Sequence, residues 1–240
     1  MKIGRKQILF LLLGLLIGTF LVLYFMFLFH DFGTHYLKGP KMVKYGIVIA
    51  SGIFTLSQFM FVKSKESIFS AISLTLAMAL TLVSDYFLLV SNTNYEIGVT
   101  IFTFAQLFHF VRTLFEFDRK KLDIFISLGF RILLPIIGII IINLAVPEYF
   151  TYLYCIIIVY FTQLIANFLD AVYLSIKLKE IKNRITGIIL ALGFLLFIIC
   201  DVYVGLANIG MAGYEMNWIF YAPSQVLIAS SFAIKYLYEK

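Results

Sequence analysis

The sequence predicts an all-α, polytopic membrane protein of eight transmembrane helices, and three observations predict it. Of its 240 residues, 62% are hydrophobic, 26 are Phe and 15 are Tyr, with a mean hydropathy of +1.00. Only 13% are charged, where a soluble domain needs roughly a quarter to cover its surface. The apolar residues come in continuous runs of about 20, the length of a helix crossing the bilayer core, instead of the alternation of a membrane barrel. A soluble enzyme, a disordered chain and a secreted disulfide scaffold are thereby excluded. The net charge of +6 reads as membrane topology, so no nucleic-acid partner is expected. Cys155 and Cys200 lie inside apolar runs without CxxC spacing and read as small hydrophobes, so neither a disulfide nor a metal is expected.

Breaks at charge and Pro/Asn clusters delimit the helices in order. Ile8–Phe29 follows Lys2, Arg5 and Lys6 but is too long for a signal peptide and lacks a small-x-small cleavage site, so it reads as an uncleaved helix. Val43–Val62 stops at Lys63 and Lys65, and Ser67–Val90 at the polar loop Ser91–Asn94. Tyr95–Phe115 stops at the Arg119-Lys120-Lys121 cluster, and Leu122–Leu144 at the loop Ala145–Glu148. Tyr149–Ile176 stops at Lys177 and Lys179, Ile185–Asn208 at the loop Ile209–Met216, and Asn217–Tyr238 closes the chain. Fourteen basic residues fall on the amino-terminal side of these spans, ending with Lys182, Arg184, Lys235 and Lys240, against Lys38, Lys41 and Lys44 on the other. Positive loops stay in the cytoplasm, so both termini are expected there, in a multi-pass protein of the cell membrane. Loops this short leave no room for a soluble catalytic domain, and any chemistry belongs inside one membrane domain spanning residues 1–240.

Ionisable residues within spans are costly and therefore functional candidates: Asp85, His109, Arg112, Arg131, Asp170 and Asp201. Arg112 lies near a cytoplasmic helix end, where it can snorkel to the headgroups. Asp170 can pair with a basic residue at its own helix end, and Arg131 can do either. Asp85 and Asp201 have no basic residue within a helical turn, and both sit roughly 8–10 Å inside the outer boundary at 1.5 Å per residue. Two carboxyls buried together do not ionise together, and one protonated beside one ionised is what acid–base chemistry requires. The alternative is that each carboxyl bonds a hydroxyl such as Ser84, Thr81 or Tyr203 and ties helices together. An internal echo favours function. Ser84-Asp85 is followed by Gln106, Cys200-Asp201 by Gln225, and the two aspartates are 116 residues apart. The pattern is that of a 4+4 parallel repeat with half-chains 1–118 and 119–240 and a site at their interface.

At these segments the chain resembles the YhhN-like family of integral membrane proteins, which includes the lysoplasmalogenases. The first stretch reads Ser84-Asp85, then Tyr95-x2-Gly98-x3-Phe102-x2-Ala105-Gln106-x2-His109. The second reads Gly193-x3-Phe197-x2-Cys200-Asp201, then Tyr221-Ala222-Pro223-Ser224-Gln225. The family has Gly at Ser84, Ser at Cys200, His at Gln106 and Tyr at His109. The resemblance implies an intramembrane hydrolase that cleaves the vinyl ether bond of a lysoplasmalogen-type lysophospholipid, with Asp85 and Asp201 as the catalytic pair and no cofactor. It implies substrate contacts from Gln106, His109, Tyr221 and Gln225. Asn92 and Asn94 would face the polar part of the substrate, and Glu96 is either an extra carboxylate at the site or, the favoured reading, a solvated helix-start charge. Two other classes remain open at this point: a proton-coupled transport or lipid-binding protein, and a catalytically inactive family member. The Gly14/Gly18 pair fits close helix packing.

Overall fold

Eight long helices carry the chain in the computed structural model: α1 (Arg5–Phe29), α2 (Pro40–Ser57), α3 (Lys65–Asp85), α4 (Tyr95–Glu116), α5 (Lys121–Ala145), α6 (Tyr152–Lys177), α7 (Ile181–Asn208) and α8 (Glu215–Leu237). The structure describes residues 4–34, 40–62, 64–91, 93–117, 119–145, 147, 150–211, 213 and 215–237. The expected helix boundaries Tyr149 and Tyr238, and the topology markers Lys2, Lys38, Lys63 and Lys240, lie outside these residues. A π-helical turn, His30–Thr34, extends α1, a 3-10 turn, Gln58–Phe61, extends α2, and a second π turn, Tyr86–Ser91, extends α3. Local chemistry sets several helix starts. The Ser64 hydroxyl accepts from the Ser67 N–H at the start of α3 (3.2 Å). Thr151 accepts from the Tyr154 N–H at the start of α6 (3.4 Å). Asn94 takes a left-handed φ of 55° before α4, a conformation that asparagine tolerates better than most side chains.

Seven of the helices, α1 to α7, are long and apolar enough to cross a membrane, and the chain is a multi-pass membrane protein. α8, expected as an eighth span, falls short of that hydropathy because it is the helix that least needs it. It packs against α1, α2 and α7 and buries Ser224, Gln225, Ser230 and Ser231 together with Tyr221 and Trp218. Hydropathy reports contact with lipid, and a helix wrapped by its neighbours is free to carry polar residues. α1 and α5 are the converse: Phe10, Leu15, Phe125 and Leu144 point outwards from them. The remaining packing runs α3 on α4, α6 on α7, α4 on α6, α1 on α2, α2 on α3 and α5 on α6.

Glycines set the closest helix approaches. A Cβ on Gly187 would lie 2.9 Å from the Ser175 backbone nitrogen on α6. One on Gly193 would meet Ile228 Cγ1 at 2.8 Å and its backbone nitrogen at 3.4 Å on α8. Small residues let membrane helices touch backbone to backbone. Gly14 and Gly18, the expected packing pair, have nothing within 4 Å and serve no helix contact within the described chain.

One side of the bundle is tied by charge. Asp170 on α6 accepts from Arg131 on α5 (2.8 Å), from Arg119 (3.0 Å) and from the Ser127 hydroxyl (2.7 Å). Arg131 also donates to Asn167 Oδ1 (2.8 Å) and lies over the Phe110 ring, 4.1 Å from its centroid. Asp170 is paired, but not by a basic residue at its own helix end: its partners come from Arg119 and Arg131, while Lys177 at the end of α6 pairs with Asp123.

Two stability predictions follow from this packing. Gly187→Ala is expected to lower stability by about 1–3 kcal/mol because backbone cannot yield to the new methyl, while Gly129→Ala, with open space around it, is neutral or mildly stabilising. Asp170→Asn removes the charge between Arg119 and Arg131 and is expected to cost about 3–5 kcal/mol. Thermal unfolding of the detergent-solubilised protein measures both.

Candidate functional site

Asp85 is the last residue of α3, where the helix widens into the π turn Tyr86–Ser91. Such turns re-aim side chains and recur at functional sites. The turn is held against α4 on both sides of the aspartate. The Ser84 hydroxyl donates to the Gly98 carbonyl (2.6 Å), and Leu88 fills the space a Gly98 Cβ would occupy, 2.6 Å from that position. Gly98 is thus required by close approach. Asp201 lies about two turns before the end of α7, at Asn208.

Each carboxylate is held by a tyrosine from another helix. Tyr221 on α8 donates to Asp85 Oδ2 (2.7 Å), and Tyr160 on α6 donates to Asp201 Oδ2 (2.6 Å). Asp85 is buried and Asp201 half-buried. The two carboxylates are within electrostatic reach of one another, and Cys200 is within reach of both. Among the described residues neither forms an ion pair.

Aromatic rings join the two pairs. Phe197 meets Tyr221 edge-on (centroids 5.2 Å apart) and Phe102 at 5.7 Å, and Phe102 lies 5.6 Å from Tyr160. Trp218 stands perpendicular to Tyr221 at 5.0 Å. Lys44 lies over Trp218 (5.6 Å) and is neutralised by Asp31 (2.5 Å). The two Gly-x3-Phe spacings of the sequence, Gly98/Phe102 and Gly193/Phe197, therefore do one job each: the glycine brings helices together and the phenylalanine, one turn on, walls the space between the two Asp–Tyr pairs.

Of the residues the sequence singled out, the structure brings Asp85, Asp201 and Tyr221 together. Gln225 is one turn beyond Tyr221 and buried, with Nε2 3.4 Å from the Ser224 hydroxyl. Gln106 and His109 make no hydrogen bond to either carboxylate among the described residues. Gln106 instead accepts from Asn167 Nδ2 at its side-chain oxygen (2.9 Å) and its backbone carbonyl (3.0 Å). His109 packs edge-on against Phe194 at 5.4 Å. Asn94 and Glu96 are exposed, and Asn92 lies outside the described residues. Ser84 and Tyr203 are not the aspartates' partners: Ser84 bonds Gly98, and Tyr203 stacks on Phe220. Thr81 Oγ1 has no partner among the described residues. Arg112 does not snorkel. It is 1% exposed, donates to Glu116 (3.2 Å) and to the Ser231 hydroxyl on α8 (2.8 Å), because an inward carboxylate competes better for it than the headgroups do.

Sequence reasoning missed Tyr160, Glu116 and the Lys44–Asp31 pair. Tyr160 is one of 15 tyrosines and carries no charge to mark it; its only signal is a polar tip in mid-span. Glu116 sits at a helix end, where it reads as solvated, yet it is 5% exposed and bonded by Ser70 and Lys235 (3.4 Å). Among the described residues no three of His, Cys, Asp and Glu converge as metal ligands.

Tyr160→Phe and Tyr221→Phe keep the ring contacts and delete the bond to the carboxylate. Each is expected to lower stability by about 1–3 kcal/mol, while Tyr203→Phe stays within roughly ±0.5 kcal/mol, read by thermal unfolding in detergent.

In comparisons with known proteins, the model of one family, described as the YhhN family, matches residues 50–232. Comparison with curated proteins and with solved structures found no match.

Proposed function

The chain belongs to the YhhN family, and from that premise we propose that it is an intramembrane hydrolase cleaving the vinyl ether bond of lysoplasmalogen-type lysophospholipids. The observation that carries this reading is the pair of tyrosine-held carboxylates without a counter-cation among the described residues, Asp85 with Tyr221 (2.7 Å) and Asp201 with Tyr160 (2.6 Å). A structural aspartate in a bilayer is ordinarily neutralised by a cation, as Asp170 is. These two stay available for proton transfer.

The chemistry needs two carboxyl groups and no more. A carboxylic acid protonates the vinyl ether at its β-carbon, giving an oxocarbenium ion. The partner carboxylate takes a proton from water as the water oxygen bonds to the cationic carbon. The resulting hemiacetal collapses, breaking the bond to the glycerol oxygen, and releases a fatty aldehyde and the glycerophospho-alcohol. The division of labour is that of a glycosidase with a water between acid and base. Each tyrosine engages Oδ2, which directs substrate and water to Oδ1. Tyr221 and Gln225 line the substrate side on α8, and the fatty chain lies along the Phe102 and Phe197 rings. Gln106 and His109 sit one and two turns deeper than Phe102 and act on the water side of the site.

The matched packing of the half-chains supports a 4+4 parallel repeat: α3 on α4 beside α7 on α8, and α2 on α8 beside α6 on α4. The basic bias of the amino-terminal side supports cytoplasmic termini, with the aspartates towards the outer face. Transport by broken helices finds less support, because α5 and α8 run unbroken through Pro135 and Pro223.

Purified protein incubated with lysoplasmalogen and with ester lysophospholipid, followed by lipid mass spectrometry, tests the proposal. Aldehyde release from the first lipid alone is expected, falling about 10²–10⁴-fold in Asp85→Asn and in Asp201→Asn. Wild-type rates in either variant overturn the assignment of the pair, and release from neither lipid overturns the hydrolase reading.

A further inference from the structure

The face of α4 below the aspartates is polar for four successive turns, at Gln106, His109, Arg112 and Glu116, and each of these residues is buried. Three of them carry a side-chain nitrogen with no partner among the described residues: Gln106 Nε2, His109 Nδ1 and Arg112 Nη2. On α3, one turn before Asp85, Thr81 Oγ1 is buried and equally unmet. Buried polar atoms in folded proteins are bonded to protein or to ordered water, and isolated orphans have isolated explanations. Four in one seam call for one.

The contacts of the three α4 residues all run inward, Gln106 to Asn167 on α6, His109 to Phe194 on α7 and Arg112 to Ser231 on α8. α3 and α4 run antiparallel in a register fixed at two points, Ser84 to Gly98 and Ser70 to Glu116. That register sets Thr81 at about the level of Phe102 and Asp85 at about the level of Gly98. The orphans on α4 are three residues apart, a rise of about 4.5 Å. One water bonded to two polar atoms at about 2.8 Å each spans up to about 5.6 Å, which matches the axial spacing of successive orphans on α4. The lower end opens into a cavity of about 690 Å³ between the ends of α3, α4, α7 and α8, whose walls include Ser67, Ser70, Glu116, Lys182 and Lys235. From Glu116 to the level of Asp85 the seam is about 27 Å long at 1.5 Å per residue.

We propose that this seam holds a file of water running from the basic-end cavity past Arg112, His109, Gln106 and Thr81 to Asp85, and that the file supplies the water consumed at the aspartate pair. The inference rests on the hydrolase reading for its purpose and on the buried orphans for its existence. An enzyme whose substrate chain fills the lipid-side approach needs its water from another direction. Gln106 and His109 have that task, which fits their place away from both carboxylates. Asn167 fixes the Gln106 oxygen and so turns Nε2 towards the seam.

Radiolytic hydroxyl-radical footprinting of the unmodified, detergent-solubilised protein tests this, because it oxidises side chains that touch water. Phe194, 1% exposed and packed on His109, reports on the middle of the file, and Phe54, 4% exposed on α2, on a dry part of the core. Phe194 is expected to label at least about tenfold faster than Phe54. In the double variant Gln106→Leu, His109→Leu, the rate at Phe194 is expected to fall to that of Phe54, while Phe117 at the cavity wall keeps its rate. Equal labelling of Phe194 and Phe54 in the unmodified protein overturns the proposal. Since labelling does not need turnover, fast Phe194 labelling in a protein that releases no aldehyde keeps the water path and removes the hydrolase reading.

Discussion

In a bundle whose outer surface faces hydrocarbon, no solvent outside satisfies a polar side chain, so every such group must be answered from within. That constraint orders the rest of the structure. Cations answer carboxylates at Asp170 and Glu116, and there the charge is spent on holding helices together. Tyrosines answer them at Asp85 and Asp201. A phenol bond stabilises a carboxylate without cancelling its charge, so a proton can still be exchanged. The difference between the two kinds of partner separates the charge-neutralised carboxylates from those whose charge is left uncancelled.

The geometry of the site depends on how closely helices approach. Gly98 admits Leu88 of the π turn, and Gly193 admits Ile228 of α8. One turn beyond each glycine, Phe102 on α4 and Phe197 on α7 meet edge-on. The rings space the two Asp–Tyr pairs and set an apolar wall beside two carboxyl groups. Close backbone contact, aromatic spacing and uncancelled charge belong to one arrangement, and a change in the first propagates to the last.

Helix α8 shows how an inner position alters composition. Wrapped by α1, α2 and α7, it supplies Tyr221 to Asp85 and Ser231 to Arg112, and its modest hydropathy follows from that duty. The outward-facing α1 and α5 expose most of their length, and α5 turns only a few residues such as Ser127 and Arg131 inward. The seam along α4 belongs to the same division: polar residues line up where four helices meet and shield them.

Composition and run length by themselves determined the membrane class and the helices, with boundaries shifted by a few residues, since hydrocarbon imposes its thickness on any sequence that crosses it. Charge scarcity also made Asp85 and Asp201 visible, and the motif spacing around them was enough to suggest the family. What only the tertiary structure decided is which partner each polar group takes. Arg112 turned inward to Glu116, Tyr160 came from a helix 41 residues away to hold Asp201, and Gln106 turned to Asn167 and away from the aspartates. Those choices rest on helix register and crossing, which bring together residues far apart in the chain, and no local pattern in a uniformly apolar sequence records them.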